Sequence, residues 1–213
     1  MPTSRRVTRE TIVKEAMKIV SRHGASSVTF QAIASALGVS KQAIIYWYPT
    51  KWEMIADICL PLMREEAEAL LPVVAPAPTA AQSIDVFVRA FVGHYLPRLP
   101  QFRLLYLSAP IEVTEPNAAD QQAALAPIHR VTSSVYSALE GKIAADADFV
   151  TGVSPRRIAV AVHMAAVGLV TMFAAADALG DPMVHAPDDM VDAMIAMLTA
   201  KPRLDVPRRR ART

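Results

Sequence analysis

The sequence predicts an all-α protein in which a small N-terminal domain of three helices precedes a larger helical domain. Of its 213 residues 53% are hydrophobic and only 6% are aromatic, so aliphatic side chains and methionine must supply most of a sizeable core. Apolar residues recur three and four positions apart through most of the chain, as in amphipathic helices. Prolines and glycines end these periodic stretches. The first helix would begin after Thr8 and end at Gly24.

The stretch 28–48, VTFQAIASALGVSKQAIIYWY, predicts two short helices that cross closely. Thr29 can cap the first helix, and Gly38 follows its last apolar residue, where a left-handed glycine ends a helix at little cost. Ser40 can then cap the second helix. Two helices joined steeply by a turn of three or four residues are typical of a helix-turn-helix, whose second helix enters the major groove of DNA.

An apolar face at helical spacing should pack inward in the second helix and leave Lys41, Gln42 and Tyr46 facing outward. Lysine can donate to guanine or to a phosphate, glutamine can pair with adenine, and a tyrosine hydroxyl can bond a phosphate. The outward residue types therefore suit a DNA groove. Trp47 can pack inward or touch DNA, and it is kept as a DNA-binding candidate.

At these residues the sequence resembles the tetracycline-repressor (TetR) family of bacterial transcriptional regulators. The similarity runs from about Arg9 to Met54 and includes the first-helix pattern TIVKEAMKIVSRHG and the closing YWYPTKWEM. Residues that match DNA-contacting or capping positions of the family are Thr29, Gln31, Ser40, Lys41, Gln42, Ala43, Tyr46 and Lys51. The chain departs from the family at Ile45, where a phosphate-binding tyrosine is usual, and at Trp47, where histidine is common.

The resemblance implies a repressor that binds a palindromic DNA operator as a homodimer and is released by a small-molecule effector. The charge distribution agrees with DNA as a partner, because the net charge of +2 divides into +6 up to Lys51, −9 in the middle and +5 from Lys201 onward. The predicted domains are a helix-turn-helix domain at 1–51, an effector-binding and dimerisation domain at 52–201, and a basic, disordered tail at 202–213. An auxiliary DNA contact by that tail is the alternative interpretation.

The middle of the chain predicts a bundle of long helices. The helix after Lys51 should be kinked or split at Pro61, the acidic residues at 65, 66 and 68 should form a solvated face, and the proline-rich segment 71–80 should be a loop. Aromatic and neighbouring side chains could line an effector pocket or could simply be core: Phe87, Phe91, Tyr95, Phe102, Tyr106, Tyr136, His163 and Met164. Since few of them are polar, the predicted effector is small and largely hydrophobic or aromatic.

The segment 158–178 is almost continuously apolar. A helix that is apolar on all sides must be covered, either at the centre of the domain or in a subunit interface. A membrane span is disfavoured by His163, by the many small residues and by the absence of a second such segment. The resemblance implies that this helix and the one after Pro187 form a four-helix bundle in the dimer, with Val167 and Met194 as interface candidates.

Other classes of protein find little support in the sequence. The chain has only seven glycines and no glycine-rich phosphate loop, and no HExxH, CxxC or GxSxG spacing occurs. We therefore predict no enzyme, no cofactor and no metal site. The single cysteine, Cys59, and an N-terminus without the apolar core of a signal peptide predict a cytoplasmic protein. The alternative is an all-helical small-molecule carrier or enzyme in which the helix-turn-helix is only structural.

Overall fold

The computed structural model describes residues 7–107, 118–149, 152–182 and 185–200. Within these ranges the secondary structure is helical and contains no strand, which confirms the all-α fold class. The helices are α1 (Arg9–His23), α2 (Phe30–Leu37), α3 (Lys41–Trp47), α4 (Lys51–Val74), α5 (Ala80–Tyr95), α6 (Leu99–Phe102), α7 (Ala118–Ala145), α8 (Pro155–Leu179) and α9 (Pro187–Thr199). A π-helical turn, Arg103–Leu107, follows α6 directly.

Side-chain caps fix where the first helices begin, as the sequence predicts. The hydroxyls of Thr8, Thr29 and Ser40 accept hydrogen bonds from backbone N–H groups three residues later, at 3.0 to 3.3 Å. Gly38 ends α2 in the left-handed conformation, with φ 69° and ψ 35°, which a residue with a side chain rarely adopts. The helix-turn-helix geometry is therefore encoded locally, at its caps and at one glycine.

Two separate hydrophobic cores organise the chain. The head core lies among α1, α2, α3 and the start of α4, and its buried residues are Ile12, Ala16, Ile19, Val20, Val28, Ile33, Ala34, Ile44, Tyr48, Met54 and Ile58. The body core lies among α4, α5, α7, α8 and α9, and it includes Leu70 on α4, Phe87 and Phe91 on α5, and Leu139 on α7. Helix α4 contributes residues to both cores, so it is the structural link between them.

Helix α4 is continuous and longer than predicted, and one of its acidic residues is buried. It is not split at Pro61, and it continues through Pro72 to Val74, so the predicted loop begins only at Ala75. Both prolines are exposed, and a proline removes only one backbone donor, so packing of the opposite face keeps the helix intact. The predicted solvated acidic face is wrong for Glu66, which is only 2% exposed.

Helix α8 buries one face in the body core and leaves the other uncovered. It is the one helix of the described ranges long and apolar enough to cross a membrane, but this is weak support for a span, since core helices pass the same test. Its uncovered face is an apolar stripe spaced three and four residues apart: Ala161, Met164, Gly168, Met172, Ala175 and Leu179. Met172 is 64% exposed and Leu179 is 80% exposed, and on α9 Met197 is 75% exposed.

Candidate DNA interface and effector site

Several of the predicted DNA-contacting side chains are exposed on α2 and α3. Lys41, Gln42 and Tyr46 are exposed on α3, and Tyr46 has 80% of its surface accessible. Gln31 is exposed on α2, where its amide donates to the hydroxyl of Ser35 at 3.2 Å. Lysine, glutamine and tyrosine side chains on a helix placed this way can reach base edges and phosphates.

The remaining DNA-binding candidates have partly structural positions. The side chains of Thr29 and Ser40 cap α2 and α3, and Ala43 is half-buried. Trp47 packs against the head core and meets the ring of Tyr46 edge-on, with the ring centroids 5.7 Å apart. This position agrees with the inward-packing interpretation of Trp47. Lys51 is half-buried at the first position of α4.

A buried tyrosine holds the end of α3 against α1 and α4. Tyr48 is fully buried, and its hydroxyl donates to the Asp57 carboxylate at 2.8 Å. Arg9 lies over the Tyr48 ring at 4.8 Å and forms ion pairs with Glu53 and Asp57, both at 3.3 Å. Burial is the main cause that raises the pKa of Tyr48, so the phenol stays protonated and remains a donor. The orientation of α3 therefore depends on the starts of α1 and α4.

The sequence did not predict that Tyr48, Arg9 and Asp57 contact one another. Tyr48 stands in a run of three aromatic residues, while Arg9 and Asp57 are 48 positions apart. The available signal was local, because Glu53 and Asp57 are one helical turn apart on α4 and thus form an acidic edge that a basic residue can join.

An aromatic cluster fills part of the body core, and most of the pocket candidates belong to it. Phe87, Phe91 and Tyr95 are fully buried along α5, and Phe102 joins them from α6. The Phe91 ring centroid lies 4.9 Å from that of Tyr95, 5.8 Å from that of Tyr106 and 5.2 Å from that of His163. The Tyr136 and His163 centroids are also 5.2 Å apart.

Met164 is the one pocket candidate that the structure does not bring to this cluster. Its side chain is 69% exposed and belongs to the apolar stripe on the opposite side of α8. Met164 stands three residues after Ala161 and four before Gly168, both of which are exposed, so helical spacing places it on the uncovered face of α8. The remaining seven candidates lie close together.

A chain of hydrogen bonds crosses the aromatic cluster and ends on Glu66. The hydroxyls of Tyr95 and Tyr106 both donate to Glu66 Oε2, and the Tyr106 bond measures 2.7 Å. His163 Nε2 lies 3.2 Å from the Tyr106 hydroxyl, and His163 Nδ1 lies 2.7 Å from the Tyr136 hydroxyl. Because the Tyr106 proton is directed to Glu66, its oxygen can accept from Nε2–H, which leaves Nδ1 to accept from Tyr136.

Burial sets the charge of these groups. It lowers the pKa of His163 to about 4, so the imidazole is neutral near pH 7, as the hydrogen-bond pattern requires. Burial also raises the pKa of Glu66, while the two tyrosine hydroxyls act in the opposite direction. The cluster thus contains a single acidic group, supported by hydroxyl donors and enclosed by aromatic rings.

Glu66 is the functional candidate that sequence reasoning missed. It stands four residues after Leu62 and four before Leu70, both of which are buried, so helical spacing alone places it on the inner face of α4. Because it belongs to a group of three acidic residues, at 65, 66 and 68, Glu66 was expected to face solvent instead. Within the described ranges, no group of three or more His, Cys, Asp or Glu residues could hold a metal ion.

The head also matches a known family by sequence. Residues 12–58 match the family described as bacterial regulatory proteins, tetR family. That range covers most of α1, the helix-turn-helix and the first eight residues of α4. No curated protein is similar enough in sequence to count as a relative.

Solved structures match the fold over nearly the whole chain. A transcriptional regulator of the TetR/AcrR family from Thermobifida fusca YX-ER1 is 17% identical, with a TM-score of 0.57 over 90% of this chain and 96% of that one. The fatty acid degradation regulator FadR from Bacillus halodurans is 14% identical, with a TM-score of 0.64 over 92% and 96%. A tetR family transcription regulator from Shewanella sp. PV-4 is 15% identical, with a TM-score of 0.63 over 91% and 97%. At these identities the likeness concerns the fold.

Proposed function

Since the chain belongs to the TetR family of bacterial transcriptional regulators, we propose that it is a cytoplasmic, non-enzymatic repressor released from a palindromic operator by a small, mostly hydrophobic effector. The observation that carries this proposal is the exposed polar face of α3 on a packed head core. The two cores support two domains, for which we keep the predicted ranges: a DNA-binding domain at 1–51 and an effector-binding and dimerisation domain at 52–201. The head core continues beyond this boundary into α4, as far as Ile58. The basic tail at 202–213 lies outside the described residues.

The exposed face of α3 would enter the major groove. Lys41 and Gln42 stand in its first turn, and the N-terminal residues of a recognition helix are those that contact base edges. Tyr46 stands one turn later, where its exposed hydroxyl can bond a phosphate. We therefore assign base recognition to Lys41 and Gln42 and a sequence-independent contact to Tyr46.

Substitutions on this face should separate the two kinds of contact. Lys41→Ala or Gln42→Ala should relax base preference and weaken operator binding by about 1–3 kcal/mol if the contact is bidentate, whereas Tyr46→Phe should weaken operator and random DNA alike. The measurement is the ratio of operator to random-duplex affinity at one salt concentration. An unchanged ratio in both alanine variants would show that α3 does not read bases.

The apolar stripe on α8 supports a homodimer. Six small or apolar residues on one face of α8 are exposed on a single chain, and Met197 of the next helix, α9, is also exposed. A contiguous apolar surface of this kind marks an interaction site, and two copies of one stripe can form a twofold interface. In a dimer the two α3 helices would occupy half-sites about 34–36 Å apart or a multiple of that distance.

Two contacts support communication between the effector site and the head. Met54 and Ile58 of α4 lie in the head core, while Glu66 of the same helix lies in the aromatic cluster. Leu104 in the π-helical turn packs against the head core, and Tyr106, two residues later, donates to Glu66. A ligand that moved Glu66 or Tyr106 would therefore act on elements that also contact the head core.

An effector should lower operator affinity about a hundredfold, which requires about 2.7 kcal/mol of coupling between the two sites. Compounds that raise the melting temperature of the protein would be titrated against the preformed operator complex. A compound that stabilises the protein and leaves operator affinity unchanged argues against coupling. Tight binding of highly polar metabolites alone would contradict a hydrophobic effector.

A further inference from the structure

Among the residues that the structure describes, the buried carboxyl group of Glu66 has no cationic partner. Glu66 is only 2% exposed, and no Lys, Arg or His side chain of the described ranges forms an ion pair with it. Burying an acidic group among apolar side chains is unfavourable unless hydrogen bonds or an opposite charge compensate it. Here hydroxyl groups supply only part of that compensation.

One oxygen of Glu66 is held and the other is not. Both tyrosine hydroxyls donate to Oε2, and Oε1 receives no hydrogen bond from the described residues. No fully enclosed side-chain oxygen or nitrogen of those residues lacks a partner, so Oε1 belongs to the small part of Glu66 that stays accessible. The accessible oxygen of a fixed carboxyl group can accept a hydrogen bond from a ligand.

The hydrogen bonds around Glu66 all point toward it. Tyr136 donates to His163, His163 can donate to Tyr106, and Tyr106 donates to Glu66 together with Tyr95. Aligned donors of this kind favour a negative charge at the acceptor end of the chain. Burial nevertheless raises the pKa of Glu66, as expected for a carboxyl group that lacks a neighbouring cation.

Aromatic rings surround the acceptor end. Phe91, Tyr95, Phe102 and Tyr106 form a connected set whose neighbouring ring centroids lie 4.9 to 5.8 Å apart. The faces of such rings attract cations, and this attraction is stronger where water is excluded. A cation bound beside Oε1 would thus meet a carboxylate that lies among aromatic side chains.

We infer that the effector of this protein is an apolar or aromatic molecule that carries a positively charged nitrogen, and that Glu66 Oε1 binds this nitrogen. The inference rests on the proposed effector site and narrows its chemistry from hydrophobic compounds in general to lipophilic amines. The aromatic cluster contacts the apolar part of the ligand, and Glu66 supplies the one charged contact. Tyr95 and Tyr106 position the carboxylate by holding its other oxygen.

Matched probes test this inference on the free protein. The compounds 4-phenylbutylamine, 4-phenylbutanol and 4-phenylbutyrate share one ring and one chain length, and the corresponding naphthyl compounds supply a larger apolar group. Isothermal titration at neutral pH should rank the amine at least about tenfold tighter than the alcohol, because a charge-assisted hydrogen bond is roughly twice as strong as a neutral one. The carboxylate should bind most weakly.

Two neighbouring substitutions give a matched comparison. Glu66→Gln should bring the amine to within about threefold of the alcohol, since the amide keeps the shape but removes the charge. Glu65→Gln changes an exposed residue of the same helix and should leave the ranking unchanged. If Glu66→Gln fails to fold, the ranking on the wild-type protein decides alone.

Several results would overturn the inference: equal affinity for amine and alcohol, tightest binding of the carboxylate, an unchanged amine preference in folded Glu66→Gln, or no binding by either series. Failure of the proposed function is distinguishable from these. An amine that binds through Glu66 and does not affect the operator complex supports the assigned contact at Glu66 and contradicts the coupling in the proposed function. Operator release by acidic or neutral compounds that bind independently of Glu66 supports the proposed function and contradicts this inference.

Discussion

A Met172→Glu protein should be monomeric and should bind operator DNA about a hundredfold to ten-thousandfold more weakly than the wild type. Met172 lies in the middle of the apolar stripe and is 64% exposed on one chain, so the substitution leaves the body core untouched. In a dimer the glutamates would be buried in an apolar interface, which is strongly unfavourable for a charge. A monomer contacts only one half-site, so it loses the affinity that a dimer gains by binding two half-sites at once.

Sedimentation velocity at micromolar concentration and operator titration measure these two effects. Ser133→Glu is a matched control, because it adds the same charge at an exposed position of α7 outside the stripe. Val167 and Met194, the interface candidates from the sequence, are less suitable, since both are half-buried against the body core of their own chain. A wild-type protein that is a stable monomer, or a dimeric Met172→Glu protein, would contradict the proposed interface.

The folded protein should lose about 3 kcal/mol of stability between pH 6.5 and pH 4 through His163 alone. Burial lowers the pKa of this imidazole to about 4, whereas in the unfolded chain a histidine has a pKa near 6.5. Within that window the unfolded chain binds a proton that the folded chain does not bind, so stability falls as the pH falls. Linkage gives about 1.4 kcal/mol for each pH unit of the window.

Denaturant unfolding at several pH values measures this contribution as the difference between the wild type and His163→Gln. The variant should show a shallower decline between pH 6.5 and pH 4, since its amide does not titrate. The raised pKa of Glu66 acts with the opposite sign, because its contribution decreases as the pH rises, and it is present in both proteins. Equal slopes, or an imidazole that NMR shows to protonate near pH 6.5, would contradict the lowered pKa of His163 in the folded protein.

The sequence predicted best those features that depend on local chemistry. Thr29, Gly38 and Ser40 specify the helix-turn-helix through a hydroxyl cap, a left-handed residue and a second cap, each within a few positions of the group it serves. The sequence likewise named Phe87 and Phe91 as pocket or core residues, and both are fully buried on α5. Such signals need no knowledge of the rest of the fold.

Features that depend on distant partners were predicted less well. Pro72 would break an isolated helix, but the packing of its neighbours keeps α4 continuous to Val74. Glu66 was assigned to solvent by its charge, and only the convergence of Tyr95 from α5 and Tyr106 from the π-helical turn provides its hydrogen-bond partners. Met164 was assigned to the pocket by residue type, although its helical position turns it to the apolar stripe.

Selection of bound duplexes from a random DNA library tests the central claim, that the exposed face of α3 recognises a DNA sequence, most directly. Wild-type protein should enrich a palindromic consensus and bind it at least about a thousandfold more tightly than a scrambled duplex at physiological salt. The same selection with Lys41→Ala or Gln42→Ala should change the consensus in each half-site. A wild-type selection without a consensus, or equal affinity for the selected and scrambled duplexes, would contradict the account.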